Sequence, residues 1–69
     1  MVTIDEIRQK LIEAINESGL KKTEIAKRLN IKQPTLSQYL SGRAMPALDT
    51  FANLCEILDL DANELLCIR

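Results

Sequence analysis

The feature that most constrains the fold of this chain is the segment of residues 22–41, KTEIAKRLNIKQPTLSQYLS. Its apolar positions predict two short helices, about 22–29 and 33–40, joined by a three-residue turn. Helices joined so closely must cross steeply, and the small side chain of Ala26 stands where they would touch. Asn30 stands in the turn, where a residue that tolerates positive φ is required. The segment therefore predicts a pair of crossed helices.

The second of these helices combines a narrow apolar face with an uncharged polar one. Only Leu36, Tyr39 and Leu40 are available to hold it to a core, with the hydroxyl of Tyr39 emerging at the rim. Pro34 suits the first turn, because the N–H that it lacks would have no partner inside the helix. The remaining side chains form hydrogen bonds without carrying charge: Gln33, Thr35, Ser37 and Gln38. This polar face is the candidate binding surface of the chain.

The rest of the sequence predicts three further helices and no strand. A T-x-x-E capping box at residues 3–6 opens a first helix, and Gly19 supplies its left-handed stop. A fourth helix, about 48–58, presents a broad apolar face, and a second capping signal at Asp61 opens a short fifth helix. The face of the fourth helix that we expect to be buried consists of Leu48, Phe51, Leu54, Cys55 and Leu58. We therefore expect an all-α, compact five-helix bundle that forms one domain over residues 1–69.

Charge is distributed unevenly along the chain, although the net charge is only −1. Residues 20–43 carry six Lys or Arg against a single glutamate, a local net charge of +5. Residues 1–19 carry two cations against four carboxylates, and residues 44–69 carry one cation against five. A basic middle third between acidic flanks suits contact with a phosphate backbone, but a solvated basic helix would show the same charge. Charge alone leaves both interpretations open.

The composition disfavours several other classes of protein. Histidine is absent, and two cysteines, Cys55 and Cys67, are too few for a structural zinc site. A disulfide is disfavoured in a cytoplasmic protein, so we expect both cysteines to be buried free thiols. Without a metal cluster or a glycine-rich phosphate loop, neither an enzyme nor a cofactor is expected. With a single domain, we expect no small-molecule effector either. No apolar run is long enough to span a membrane, and the first residues alternate Ile with charged side chains, so we expect no signal peptide and a cytoplasmic protein.

The pattern around the turn continues through most of the chain. Alanine lies at the helix contact, a small turn residue is followed by apolar Ile31, and Gly42 closes the second helix. The segment MPALDT follows from Met45, and LCEILDLDANELL from Leu54. Together these residues resemble the helix-turn-helix domain of the phage repressor/Cro-like family, often called XRE-type, over about residues 3–66. The resemblance implies a lambda repressor-like fold and a transcriptional regulator that binds specific sequences of double-stranded DNA through its third helix, in the major groove.

The chain departs from the usual pattern of that family in two respects. The family usually has glycine where this chain has Asn30, which is a mild change, and the starts of the second and third helices also differ. Lys21 and Lys32 stand where Ser or Thr commonly caps a helix, and a lysine cannot accept hydrogen bonds from the first N–H groups. The lost cap costs about 0.5–2 kcal/mol, and a cation at the positive end of the helix dipole costs about 0.3–1 kcal/mol. A phosphate docked at each helix start would make both lysines favourable. Misplaced helix starts or capping by water are the alternative explanations.

The resemblance implies a role for each residue that matches a binding position of the family. Glutamine can bind adenine through two hydrogen bonds, and lysine can reach guanine or a flanking phosphate. Base contacts are expected from Lys32, Gln33, Pro34, Ser37 and Gln38. Phosphate contacts, which set register without reading sequence, are expected from Lys21, Lys22, Thr35, Ser41, the N–H of Gly42, and Arg43.

The C-terminal part of the chain is the expected surface of a homodimer. A single domain reads too few base pairs to select a site in a genome, whereas a two-fold dimer doubles its contacts. More leucine and isoleucine is present there than one short helix needs, and the expected interface is Leu60, Leu65, Leu66 and Ile68. An alternative function is a protein-interaction adaptor or antitoxin-like module with the same fold, whose acidic ends would be its partner surface.

Overall fold

The structure, a computed structural model, describes residues 1–68 and contains five α-helices and no strand within them. The helices are α1 (Ile4–Glu17), α2 (Lys22–Leu29), α3 (Gln33–Ser41), α4 (Leu48–Ile57) and α5 (Ala62–Leu65). The expected all-α, five-helix architecture is confirmed, with helix limits within one residue of those expected for α2, α3 and α4. None of the helices in this part of the chain is both long and apolar enough to cross a membrane.

Local capping explains where α1 and α5 begin. The Thr3 hydroxyl oxygen accepts the N–H of Glu6 at 3.3 Å, and the hydroxyl proton is donated to the Glu6 carboxylate. The Asp61 carboxylate accepts the N–H of Asn63 at 3.0 Å. Both capping signals predicted from the sequence are therefore present. Gly19, with a φ of 79°, lies just beyond α1 in the left-handed region, as expected for a glycine stop.

A single apolar core receives side chains from all five helices. α2 packs against α3 and α4, and α1 packs against α3 and α5, so that the short helices enclose a common interior. Four side chains have less than 2 % of their surface exposed: Leu11, Ile25, Leu36 and Leu54. The core is completed by Ile15, Ala26, Phe51, Cys55 and Leu65. This packing fixes the orientation of α3 relative to α2 and α1.

The expected buried face of α4 is wrong at its first residue. Leu48 has 84 % of its surface exposed, whereas Phe51, Leu54 and Cys55 are buried as expected. Leu48 lies at the N-terminal end of α4, so that the helix reaches the core only one turn later. Leu58 follows the helix and is only partly buried against the core.

The C-terminal leucines, which were expected to form a dimer surface, are largely packed against the core. Leu65 is 6 % exposed and belongs to the core, so it is not available to contact a second copy, and its expected role is corrected. Leu60 and Leu66 are half-buried against the same core. Ile68, at 54 % exposed, is the large apolar side chain that remains at this end. The reason is the shortness of α5, which needs several apolar residues to dock on α1.

Both cysteines are free thiols, and the expectation of buried free thiols holds in full only for Cys55. Cys55 is buried on α4, whereas Cys67 is half-buried and has a φ of 61°. Burial raises the pKa of the Cys55 thiol above its ordinary value of 9.0, and the negative charge of Asp61 raises it further. At neutral pH the Cys55 thiol is therefore protonated, and Cys55 behaves as a small apolar core residue.

Candidate nucleic-acid interface

The turn between α2 and α3 is a left-handed corner closed by backbone hydrogen bonds. Asn30 has φ 56° and ψ 43°, the conformation that its position in the turn required. The N–H of Ile31 donates to the Ala26 carbonyl at 3.0 Å, while the Ala26 side chain is 2 % exposed at the helix contact. The expected roles of Ala26 and Asn30 are confirmed. These bonds set the path of the chain between α2 and α3, which pack against each other.

Most of the polar face of α3 points outward: Gln33, Ser37 and Gln38 are exposed, whereas Thr35 is half-buried. Leu36 is 1 % exposed and anchors the helix, with Tyr39 and Leu40 half-buried beside it. The residues expected to contact bases are all exposed: Lys32, Gln33, Pro34, Ser37 and Gln38. Within residues 1–68, the side-chain amides of Gln33 and Gln38 make no hydrogen bond. Their donors and acceptors therefore remain available to a partner.

Lys21 and Lys32 are the N-cap residues of α2 and α3, and neither side chain makes a capping hydrogen bond. Their backbone is extended, with φ −69° and ψ 145° at Lys21 and φ −81° and ψ 151° at Lys32. Both helices therefore start where the sequence predicted, which removes misplaced helix starts as an explanation of the lysine caps.

The two helix starts differ in how many N–H groups they leave without an acceptor. At α2, Glu24 donates its N–H to the Lys21 carbonyl at 3.0 Å, and the N–H groups of Lys22 and Thr23 have no acceptor within residues 1–68. At α3, Thr35 makes the equivalent bond to Lys32 at 3.0 Å, and the proline at the second position has no N–H. One unbonded N–H thus remains at α3 and two at α2, so α2 offers the better helix-terminal anion site.

The C-terminal end of α3 is closed tightly by Gly42, which has a φ of 82°. The carbonyl of Gln38 accepts the N–H groups of Arg43 at 3.0 Å and Ala44 at 3.2 Å, and also the Ser41 hydroxyl at 3.2 Å. The N–H of Gly42 donates to Tyr39 at 3.3 Å. The expectation that this N–H binds phosphate is therefore corrected, because closing the helix already uses it.

Most cations of the basic segment have no carboxylate partner in the described part of the chain. The two ion pairs there are Arg8–Asp5 at 2.5 Å on α1 and Arg28–Glu24 at 3.9 Å on α2. The exposed cations outside these pairs include four of the expected contact residues: Lys21, Lys22, Lys32 and Arg43. Thr35, another expected phosphate contact, is half-buried in the first turn of α3. The positive charge is therefore displayed outward rather than neutralised locally.

One basic residue that the sequence did not associate with this face also reaches it. A Cβ atom at Gly42 would lie 3.2 Å from Cδ of Arg8, so the Arg8 side chain lies directly over the end of α3. No sequence signal marks this contact, because the two residues lie in different helical segments and Arg8 belongs to an acidic stretch.

A second surface feature lies between α1 and the C-terminal end. It is a groove of about 390 Å³, and its lining within residues 1–68 includes apolar side chains, four carboxylates and one cation, Lys10. The carboxylates belong to Glu13, Glu17, Asp61 and Glu64. Within residues 1–68, no group of three or more Cys, Asp or Glu side chains is arranged to hold a metal ion. The groove is therefore an acidic surface, separate from the polar face of α3.

Comparison with known proteins agrees with this geometry. A protein-family model described as helix-turn-helix matches residues 11–65, which include the crossed helices, the corner and α4. No curated protein and no solved structure gives a significant match to the chain. The match covers well over half of the chain, and the corner at Asn30 has the geometry that such a motif requires. The chain therefore belongs to the XRE-type, phage repressor/Cro-like family of helix-turn-helix domains, which are DNA-binding regulatory domains.

Proposed function

We propose that this protein is a transcriptional regulator that binds specific sequences of double-stranded DNA, with α3 in the major groove. The observation that carries the proposal is the outer face of α3, where Gln33 and Gln38 are exposed and make no hydrogen bond within residues 1–68. Unpartnered amides beside unpaired lysines are suited to base edges flanked by phosphates. Membership of a DNA-binding family supports the same function.

Base readout falls to the first two turns of α3 in this proposal. Gln33 and Gln38 lie about 140° apart around the helix axis, so they read different base pairs, each able to bind adenine N6 and N7. Lys32 reaches guanine or a flanking phosphate, and Pro34 packs against a thymine methyl group. Ser37 is the lesser base contact, because its side chain is shorter.

Phosphate contacts set the register of α3 in the groove. Lys21 and Lys22 bind at the start of α2, where two unbonded N–H groups add to the attraction for an anion. Thr35 and Arg43 bind the backbone on either side of the reading helix. Ser41 contributes by rotating its hydroxyl away from the Gln38 carbonyl, to which its proton is donated in the free protein, and donating that proton to a phosphate oxygen instead. These contacts supply affinity without sequence preference.

A homodimer on a two-fold operator completes the proposal. Two copies of α3 placed about 34 Å apart would enter successive major grooves on one side of the duplex. Ile68 is the exposed apolar residue at the C-terminal end, with the half-buried Leu60 and Leu66 nearby in the chain. In this arrangement Leu65 supports the surface from the core and does not touch the partner.

The test is selection of bound duplexes from a random pool at two salt concentrations, using the wild type and two variants. Gln33→Ala and Gln38→Ala should each relax sequence preference at one position of the site, by about 1–3 kcal/mol. Ser37→Ala is a matched control on the same face, and a smaller change is expected from it. Unchanged preferences in both glutamine variants would refute base reading by α3.

An adaptor or antitoxin-like module is the second candidate, and the acidic groove between α1 and the C-terminal end favours it. That surface offers apolar side chains ringed by carboxylates to a basic protein partner. In that case the wild type would show no salt-dependent affinity for duplex DNA, which the same selection experiment reveals.

A further inference from the structure

Arg8 belongs by sequence to the acidic first segment, but its side chain lies at the end of α3. The Gly42 position is so close that a Cβ atom there would lie 3.2 Å from Cδ and 4.0 Å from Nε of Arg8. Arg43, an expected phosphate contact, follows Gly42 directly, and consecutive Cα atoms are about 3.8 Å apart. Arg8 therefore brings a second cationic side chain to the place where the chain leaves α3.

The guanidinium of Arg8 is only partly used inside the protein. Its Nη1 atom is paired with the Asp5 carboxylate at 2.5 Å, while its Nε is buried and has no acceptor in the described residues. The Arg8 side chain is 28 % exposed, so its terminal nitrogen atoms can meet solvent, and the Asp5 side chain is 82 % exposed. An exposed carboxylate holds its partner weakly and is readily exchanged for another anion. Of the five N–H donors of the guanidinium, the one on Nε is buried and one on Nη1 meets Asp5, so the three others, on the two Nη atoms, are available to a phosphate.

We infer that Arg8 is a further phosphate contact of the DNA interface, supplied by α1 from outside the helix-turn-helix. The inference rests on the proposed DNA binding. Packing of its stem over Gly42 holds the Arg8 side chain next to the residue that precedes Arg43, so that in this inference both cations serve the same stretch of DNA backbone. In the free protein Asp5 occupies the guanidinium, and on binding the phosphate takes the place of that carboxylate.

Salt dependence distinguishes a phosphate contact from a role in supporting α3. For duplex DNA, log Kobs falls linearly with log salt concentration with a slope of about −0.9 for each phosphate neutralised. Arg8→Gln should therefore reduce the magnitude of the slope by about 0.9 per protomer, measured by fluorescence anisotropy with a labelled mixed-sequence duplex. Arg8→Lys keeps the charge and should keep the slope. Lys10→Gln is the matched control, because Lys10 lies on α1 but faces the acidic groove.

A second variant tests the exchange without altering Arg8. Asp5→Asn releases the guanidinium and should tighten binding by up to about fivefold, the range expected from loss of a competing exposed ion pair. Glu13→Gln removes an equal charge from the same helix, where Glu13 accepts a hydrogen bond from Gln9, and should tighten binding less.

The outcomes separate the inference from the proposed function. A wild-type protein with no salt-dependent duplex binding would overturn both. Wild-type binding combined with an unchanged slope in Arg8→Gln would overturn only the role of Arg8, including the case in which affinity falls equally at every salt concentration. If Arg8→Gln fails to fold, as judged by circular dichroism, equal affinities of Asp5→Asn and Glu13→Gln would overturn it instead.

Discussion

Replacing Lys21 by serine should stabilise the free protein while weakening its binding to duplex DNA. Serine accepts a hydrogen bond from the second or third N–H of a helix, and at α2 the N–H of Thr23, the second one, has no acceptor within residues 1–68. The substitution also removes a cation from the positive end of the helix dipole. Together these changes are worth about 1 kcal/mol, which would raise the melting temperature of a domain of this size by about 4–8 °C.

The same substitution at Lys32 should have a smaller effect on stability. Pro34 occupies the second position of α3 and has no N–H, and the N–H of Thr35 already donates to the Lys32 carbonyl at 3.0 Å. A serine at position 32 can therefore only share a donor that is already bonded, and we expect a gain of about 0.5 kcal/mol or less. From the structure we therefore expect a larger gain in stability from Lys21→Ser than from Lys32→Ser, whereas the capping argument from the sequence treats the two lysines alike.

Thermal unfolding followed by circular dichroism at low salt measures both effects. Lys27→Ser is the control, because it removes the same charge from the last turn of α2, where a cation is favourable, and should lower stability by about 0.3–1 kcal/mol. DNA binding is measured on the same variants, and the salt slope should fall in magnitude by about 0.9 for each lost phosphate contact. A Lys21→Ser protein no more stable than Lys27→Ser would refute the capping argument. Increased stability with an unchanged salt slope would refute phosphate binding by Lys21.

Two further predictions concern the C-terminal surface and the core thiol. Ile68→Asp should yield a folded monomer in sedimentation experiments, because the side chain is 54 % exposed and outside the core; a variant that dimerises as well as the wild type would place the interface elsewhere. Burial, with Asp61 as a smaller cause, raises the pKa of Cys55, so above pH 9.0 the unfolded chain loses a proton that the folded one keeps, and the free energy of unfolding falls as pH rises. Cys55→Ala lacks the thiol, so its free energy of unfolding should not show this fall. The stability difference between wild type and variant, measured by urea titration, should therefore shrink between pH 8 and pH 10. A constant difference would contradict the prediction.

Local sequence determined the helices, the corner and the uncapped helix starts of this protein. The limits of α2 and α3, the positive φ of Asn30 and the stop at Gly42 depend on residues within about one helical turn, where capping and backbone sterics act. For the same reason Lys21 and Lys32 could be identified as N-caps without a structure. The outward face of α3 followed as well, since Leu36 and its apolar neighbours define which side must be buried.

Tertiary packing decided which residues are available at the surface. Leu48 and Leu65 are equivalent in an apolar pattern, but Leu48 lies at a helix end beyond the core and Leu65 docks into it, so only the arrangement of the helices distinguishes them. The sequence leaves the Gly42 N–H available to a phosphate, whereas in the structure it donates to the Tyr39 carbonyl. Arg8 belongs by sequence to the acidic first segment, but the packing of α1 on α3 brings its side chain against Gly42 at the end of α3. Charge and burial at a surface depend on distances between segments far apart in the chain, and those distances exist only once the helices have packed.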